Sequence, residues 1–307
     1  NILFLTLSCF ILLEFLMIPF QMWTSEVPEF YEKISEDEED YAILEIPNAF
    51  PGISYSDYMY YQTIHGKKLV NGYVSRTPDY AVMFLNSMPF ISHLTKDPPP
   101  LEHEDILSQD LIDIGPVILN YYGIRYIVLH RDRMTAEQFD FASNLLQRSI
   151  ERDPFIYEND SIIVYKVEEG PTKSFMRQGY GWHDIENWSG ILTRWMSDDA
   201  YLLIYSDENR TADLNLQALS FYRTRTLNIC INDGPWTYAE IPNEDFVLVK
   251  TPINLIKGTN IIRFHVPEGC ESPCDIPELK NEDQRCLSVA IQDVIISSSP
   301  NSNELTK

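Results

Sequence analysis

The chain has 307 residues, of which 44% are hydrophobic and 12% aromatic, and it carries 46 acidic against 23 basic residues. This composition is sufficient to build hydrophobic cores, which excludes a disordered stalk. The formal net charge of -23 repels phosphate backbones and argues against nucleic acid as a partner.

The chain opens on a nearly unbroken apolar run. Residues 1–22 read NILFLTLSCFILLEFLMIPFQM, and Glu14 is the one charged side chain among them. The run has the length of a membrane-spanning helix and lacks the basic start and cleavage site of a signal peptide. We therefore expect residues 1–23 to be the last transmembrane helix of a longer protein. The scarcity of basic residues after it predicts an extracytoplasmic location for the region that follows.

The next part of the chain predicts a small α/β domain. Residues 24–40 contain the acidic run 36–40, and we expect them to form a solvated linker. Residues 41–169 then alternate between strand and helix patterns, with helices expected over about 77–94 and 105–122 and a capping box opening the helix after Thr135. This order of elements predicts a mixed sheet.

From residue 170 the pattern changes to short strands separated by turns. Leu214, Leu216 and Ala218 show the alternation that is typical of a strand with one buried face. Residues 170–297 are therefore predicted to form an antiparallel, jelly-roll-like β-sandwich of about eight strands. Residues 298–307 are predicted to be a disordered polar tail. The fold class of the whole chain is accordingly α+β and multidomain.

The densest group of polar side chains lies between residues 60 and 76. Cations beside aromatic rings and glycines can hold a phosphate or a sugar. The alternative is a solvated β-hairpin whose aromatic rings pack on the sheet. The residues predicted to form a ligand-binding surface are Tyr61, Gln62, His65, Lys67 and Arg76.

Three tryptophans near the start of the second unit, Trp182, Trp188 and Trp195, are candidates for stacking on sugar rings. The alternative is burial in the core or at the domain interface. An exposed, coplanar pair of these rings would favour sugar binding, whereas burial of all three would exclude it.

The cysteines indicate whether the chain folds in an oxidising or a reducing compartment. Cys270, Cys274 and Cys286 flank one polar loop, and a disulfide within this trio is predicted for an oxidising compartment. A zinc site that also uses His265 is the weaker alternative, because the C-x3-C spacing is not typical of zinc ligands. Three Asn-x-Ser/Thr sequons, which begin at Asn159, Asn187 and Asn209, fit an external face.

Motifs of self-contained enzymes are absent from the sequence. It has no P-loop, dinucleotide fingerprint, G-x-S-x-G or H-E-x-x-H motif. No catalytic residue, metal or cofactor is therefore predicted.

Three segments carry a family resemblance: YYQTIHGK at 60–67, GYVSR at 72–76 and YYGIRYIVLH at 121–130. They resemble the C-terminal extracytoplasmic region of prokaryotic multi-spanning membrane proteins grouped with GT-C-type glycosyltransferases, which use polyprenyl-phosphate-linked sugars. In that class the catalytic acidic residues lie in a loop after the first span, so the resemblance assigns none here.

The resemblance implies an accessory role, in acceptor or glycan recognition or in support of the catalytic face. The implied partners are the remaining transmembrane domain, the membrane, and a glycan or polyprenyl-phosphate-sugar. Two alternatives remain open: a carbohydrate-binding β-sandwich, or a purely structural ectodomain.

Overall fold

The computed structural model describes residues 2–14, 26–47, 56–70, 72, 76, 78–95, 105–150, 155–168 and 173–298. Its helices are α1 Ile2–Glu14, α2 Glu29–Ser35, α3 Ser56–His65, α4 Asp79–Ser87, α5 Ile91–Thr95, α6 Leu111–Tyr121 and α7 Ala136–Ser149. Its strands are β1 Ala42–Ile46, β2 Lys68–Leu69, β3 Ile124–His130, β4 Phe155–Glu158, β5 Ile162–Lys166, β6 Phe175–Gln178, β7 Trp182–Trp188, β8 Ile191–Met196, β9 Asp199–Ser206, β10 Arg210–Ser220, β11 Arg225–Ile231, β12 Thr237–Ile241, β13 Val247–Leu255, β14 Gly258–His265 and β15 Val289–Ser298.

The first unit is built around a five-stranded mixed sheet of order β2-β1-β3-β5-β4. Strand β1 pairs in parallel with β2 and β3, whereas β5 pairs antiparallel with β3 and β4. All five residues of β1 are buried, as expected of a strand covered on both faces. Leu44 and Ile127 pack towards α5, α6 and α7, and Ile43 and Val128 pack towards α2 and α3. The predicted mixed sheet is confirmed.

Two segments of this unit differ from their sequence-based predictions. The expected acidic linker contains α2, because Phe30, Tyr31 and Ile34 form one apolar stripe that is buried against the sheet. The alternative of a β-hairpin after residue 60 is also wrong. Residues 56–65 form helix α3, which buries Tyr58 and Tyr61, and only the short β2 follows it.

The second unit consists of two antiparallel five-stranded sheets. Their strand orders are β13-β10-β15-β8-β7 and β12-β11-β14-β9-β6. Inward-facing residues such as Leu202, Leu216 and Ile262 form the core between the sheets. The prediction of an α+β chain with a β-sandwich is confirmed, with ten sandwich strands in place of about eight. The predicted tail from residue 299 onward lies outside the described residues.

A segment of the first unit completes the core of the second. Residues 105–109 were predicted to be helical, but Asp110 caps α6 by accepting a hydrogen bond from the Ile112 amide, so the helix begins only at Leu111. The preceding segment is extended. Its Leu107 pairs with Val294 of β15, and Ile106 and Leu107 are buried in the sandwich core.

Polar contacts hold the same segment in place. Asp105 accepts hydrogen bonds from Arg194 at 3.1 Å and from Gln178 at 2.7 Å. The Gln109 side chain pairs with the backbone of Met176, donating to its carbonyl and accepting from its amide. Residues 105–109 therefore tie the first unit to the core of the second.

The predicted membrane-spanning helix is described only over α1, which has 13 residues. Within the described part of the chain, no helix combines the length and apolarity needed to cross a bilayer. The rest of the predicted span, from residue 15, falls outside the described residues.

The burial of residues 105–109 in the sandwich core predicts how one substitution changes stability. Ile106→Ala removes a side chain that is 1% exposed, and we expect the free energy of unfolding to fall by about 2–5 kcal/mol. Both units should lose stability together. The measurement is chemical denaturation followed by circular dichroism and tryptophan fluorescence.

The matched control is Ile256→Ala, because Ile256 is 54% exposed and loses little buried contact. If Ile106→Ala changed stability no more than this control, the segment would not be part of the sandwich core.

Candidate functional site

The predicted ligand-binding surface at residues 61–76 is largely internal. Tyr61, His65 and Lys67 are all buried. The Tyr61 ring stacks on Tyr31, with 4.5 Å between the ring centroids. Arg76 is exposed, and most of its sequence neighbours lie outside the described residues.

The polar atoms of this motif terminate helix α3. Gly66 has a positive φ of 67°, and its amide donates to the Gln62 carbonyl, which ends the helix. The His65 Nδ1 accepts a hydrogen bond from the Lys67 amide at 2.9 Å, and the Gln62 side chain donates to the Lys67 carbonyl at 3.1 Å. The Lys67 ammonium donates to the backbone carbonyls of Asp37 and Glu39. These groups are used within the fold, so the motif does not form an open ligand surface.

Burial changes the acidity of His65. Desolvation, followed by the nearby charge of Lys67, lowers the pKa of His65 from 6.5 to about 4. The imidazole is therefore neutral at physiological pH. Its Nε2 is buried without a hydrogen-bond partner among the described residues.

The three candidate tryptophans are used mainly for packing. Trp195 is 7% exposed and meets the half-buried Trp188 edge to face, with 61° between the ring planes. The half-buried Trp182 packs on Phe264 and donates its indole N–H to the Tyr201 carbonyl. No coplanar, exposed pair exists among them, so their arrangement does not favour sugar stacking.

The cysteine trio contains one disulfide, between Cys270 and Cys286. Cys274 is a free, exposed thiol in the loop that the disulfide closes. Across the described residues, no group of three or more histidine, cysteine or acidic side chains is arranged to hold a metal ion.

A buried polar cluster at the carboxyl end of the parallel strands was not predicted. Glu45 of β1 is fully buried; its carboxylate accepts a hydrogen bond from Tyr31 at 3.1 Å and lies 2.8 Å from Nε2 of His130. Burial, and then the charge of Glu45, raises the pKa of Tyr31, so the phenol stays protonated and donates. Carboxyl edges of parallel strands are common ligand sites. Here the three side chains are at most 2% exposed, and they connect α2 to the sheet.

The outer face of the second sandwich sheet carries a different group. Along β9, Ala200, Leu202 and Ile204 point into the core, so Asp199 and Tyr201 point outward. Cross-strand pairing then sets the neighbours of Asp199 in one row: His265 on β14, Asn228 on β11 and Tyr238 on β12.

A tight turn places Trp236 over this row. Asn232 and Asp233 both have positive φ, and the Gly234 amide donates to the Ile231 carbonyl at 2.8 Å. The chain thereby returns along edge strand β12, and the Trp236 ring reaches past β11 to Arg263 and His265 on β14. We call this surface the Trp236 face, and it comprises Asp199, Asn228, Trp236, Tyr238, Arg263 and His265.

The charged side chains on the Trp236 face pair with one another across neighbouring strands. Asp199 accepts from the Arg263 Nε at 2.8 Å and lies 3.1 Å from the His265 Nδ1. Desolvation opposes ionisation of Asp199, but the contacts with Arg263 and His265 outweigh it and hold the pKa of the carboxyl below its usual range. The Arg263 guanidinium lies 5.6 Å from the centre of the Trp236 ring.

Among the described residues, the first unit covers the other end of this outer face. Tyr121 of α6 packs on Tyr205 with 4.3 Å between ring centroids and on Phe175, and its hydroxyl lies 3.1 Å from that of Thr259. At the opposite end, Tyr238 is 71% exposed. The Trp236 face thus combines the exposed ring of Tyr238, the half-buried indole of Trp236, and side chains that donate and accept hydrogen bonds.

Sequence reasoning missed this face because its members come from four separate segments of the chain. Trp236 and Tyr238 have the i, i+2 spacing of one strand face, which was a visible signal. Their polar neighbours follow from strand pairing, which the sequence does not show.

Comparisons with known proteins give a partial likeness. No protein-family model and no curated protein matches the chain. Solved structures that match include carbohydrate-binding modules: a CBM35 from Cellvibrio japonicus Abf62 (12% identity, TM-score 0.26), a family 35 module from Clostridium thermocellum (15%, 0.27) and a CBM6 from Cellvibrio mixtus lichenase 5A in complex with cellotriose (10%, 0.26). The matches cover 41%, 41% and 40% of this chain and 99%, 92% and 89% of the respective modules. Identities and TM-scores this low do not indicate what this chain binds.

The lowered pKa of His65 predicts how the stability of the fold depends on pH. Because its folded pKa of about 4 lies below the ordinary 6.5, the unfolded chain binds the proton first as the pH falls. The free energy of unfolding should therefore decrease between pH 6.5 and pH 4. After allowance for solvent screening, we expect His65 to contribute about 2 kcal/mol of this loss.

The test compares denaturant unfolding of the wild-type chain and His65→Asn from pH 7 to pH 4. Asparagine can still accept from the Lys67 amide but does not titrate, so this variant should show a shallower pH dependence. Equal slopes for the wild type and His65→Asn would contradict the lowered pKa.

Proposed function

We propose that the chain binds a glycan on the Trp236 face of its β-sandwich. The observation that supports this proposal is the combination of an exposed Tyr238, a half-buried Trp236 and a polar row on the uncovered end of one sheet. Aromatic faces stack on the C–H face of a sugar ring, and the carboxylate, amide and imidazole groups pair with its hydroxyls.

The in-plane pairing of charges also suits a neutral polyhydroxyl ligand. Arg263 and Asp199 neutralise one another and fix each other's orientation, so a ligand meets preorganised donors and acceptors without a net local charge. The amide oxygen of Asn228 has no hydrogen-bond partner among the described residues. That oxygen is itself shielded from solvent, so the acceptor that a ligand meets on this face is the Asp199 carboxylate.

The test is glycan-array screening of the full chain, followed by titration calorimetry on the strongest ligand. Trp236→Ala and Tyr238→Ala should each weaken binding about tenfold, because each removes one stacking surface.

Two controls separate this face from the other aromatic groups. Tyr60→Ala removes a tyrosine that is 48% exposed in the first unit and should leave affinity unchanged. Trp188→Phe alters a predicted sugar-stacking residue while keeping its packing, and should also have no effect. Loss of affinity in Trp188→Phe with full affinity in Trp236→Ala would assign the site to the opposite sheet. The absence of any glycan ligand for the wild type would refute the proposal.

We further propose that α1 lies in a lipid bilayer, with the rest of the chain on the extracytoplasmic side. Exposed side chains surround the helix on every side, including Leu3 at 84% and Phe4 at 77% exposure. A protein groove would cover one stripe of an amphipathic helix, whereas a helix that is apolar all round requires apolar surroundings on all sides. The further resemblance to GT-C-type glycosyltransferases stays a prediction.

Vesicle flotation tests the membrane proposal. Neutral phosphatidylcholine vesicles are the suitable probe, because the net charge of -23 repels anionic lipid. After detergent removal the wild-type chain should float with the vesicles, and Leu5→Lys/Leu12→Lys should remain in the aqueous fraction.

Leu248→Lys/Ile256→Lys changes two exposed apolar residues of the sandwich and should float like the wild type. A wild-type chain that stays in the aqueous fraction, or a double lysine variant in α1 that still floats, would contradict bilayer insertion.

A further inference from the structure

Two of the three sequons lie on exposed turns of the β-sandwich. Asn187 is exposed beside the turn between β7 and β8, together with the exposed Ser189. Its side-chain oxygen accepts a hydrogen bond from the Gly190 amide at 2.7 Å. Because that bond fixes the carboxamide by its oxygen, the amide nitrogen points away from the turn backbone.

The second exposed sequon has the same arrangement. Asn209 lies between β9 and β10, and its side-chain oxygen accepts from the Lys257 amide at 2.7 Å. Asn209 and Thr211 are both exposed. At Asn187 and Asn209 alike, the described residues supply no hydrogen-bond acceptor to the amide nitrogen.

The third sequon is built differently. Asn159 is half-buried in the connection between β4 and β5, and its oxygen accepts from the amides of both Ser161 and Ile162, at 2.9 and 2.8 Å. Its amide nitrogen donates to the Tyr157 hydroxyl at 3.4 Å. This side chain is therefore part of the turn and does not present its nitrogen to solvent.

The disulfide gives an independent indication of compartment. Cys270 and Cys286 are bonded in the same sandwich that carries the two exposed sequons. Structural disulfides form in oxidising compartments, and those compartments are also where asparagine side chains receive oligosaccharides.

We infer that Asn187 and Asn209 are N-glycosylation sites and that Asn159 is not. The donor is a polyprenyl-phosphate-linked oligosaccharide, acted on by a membrane-bound oligosaccharyl transferase. A bond forms between the asparagine Nδ2 and the anomeric carbon of the first sugar. The bond from that carbon to the phosphate oxygen breaks, the lipid phosphate leaves with its electron pair, and the amide gives up one proton.

The two sites lie away from the Trp236 face, one beyond the opposite end of β9 and the other on the other sheet. Asn209 follows the end of β9 that is distant from Asp199, and Asn187 belongs to β7 of the first sandwich sheet. Attached glycans would therefore leave the proposed glycan-binding surface open.

The experiment uses the full chain, preceded by a cleavable secretion signal, in a host whose secretory membrane carries this transfer pathway. Glycopeptides are mapped by mass spectrometry after enzymatic release of the glycans in ¹⁸O water. The wild type should carry two glycans, and Asn187→Gln and Asn209→Gln should each carry one. Ser189→Ala and Thr211→Ala should give the same losses, because they remove the hydroxyl of the sequon and keep the asparagine.

Asn159→Gln is the matched control and should still carry two glycans. The linked Cys270–Cys286 peptide in the same digest verifies exposure to the oxidising compartment. Unmodified Asn187 and Asn209 in a chain with this disulfide would overturn the inference, as would a glycan on Asn159. A chain recovered with Cys270 and Cys286 reduced would contradict the compartment on which the inference depends.

Discussion

The insertion of residues 105–109 into the β-sandwich is the constraint on which the rest of the structure depends. A sandwich of two sheets needs its open edge filled, and here the apolar side chains that fill it come from the segment leading into α6. Asp105 completes the connection through Arg194, which is largely shielded from water. Because the segment that leads directly into α6 is buried in the core of the other unit, the two units cannot turn freely against each other.

This fixed arrangement determines which surface remains available. Tyr121 joins Phe175 and Tyr205 in an aromatic contact that closes one end of the outer sheet face. The other end, with Trp236 and Tyr238, stays uncovered among the described residues. The position of α6 therefore leaves a binding surface at one end of the sheet and an internal interface at the other.

Much of the fold could be predicted from local patterns, and most of the site could not. The apolar run of β3 and the alternation in β10 indicated their strands directly, because each pattern reflects burial of that strand alone. Helix α2 was missed since its three buried residues are surrounded by acidic ones. The motif at 61–67 was overvalued because its polar groups end a helix, and the partners of Lys67 lie about thirty residues away in the sequence. The Trp236 face depends on strand pairing, which no single segment encodes.

The place of β15 in its sheet has a consequence for biosynthesis. β15 is the last sandwich strand in chain order, yet it lies in the centre of its sheet, between β10 and β8, and also pairs with Leu107. A ribosome delivers the strands in order, so β7 and β8 emerge long before the strand that joins them to β10 and β13. Until then the half-built sheet exposes two unpaired edges and an unfilled apolar interior. Completion of the sandwich therefore waits for β15, and a nascent chain of this protein needs protection from aggregation until that strand has been made.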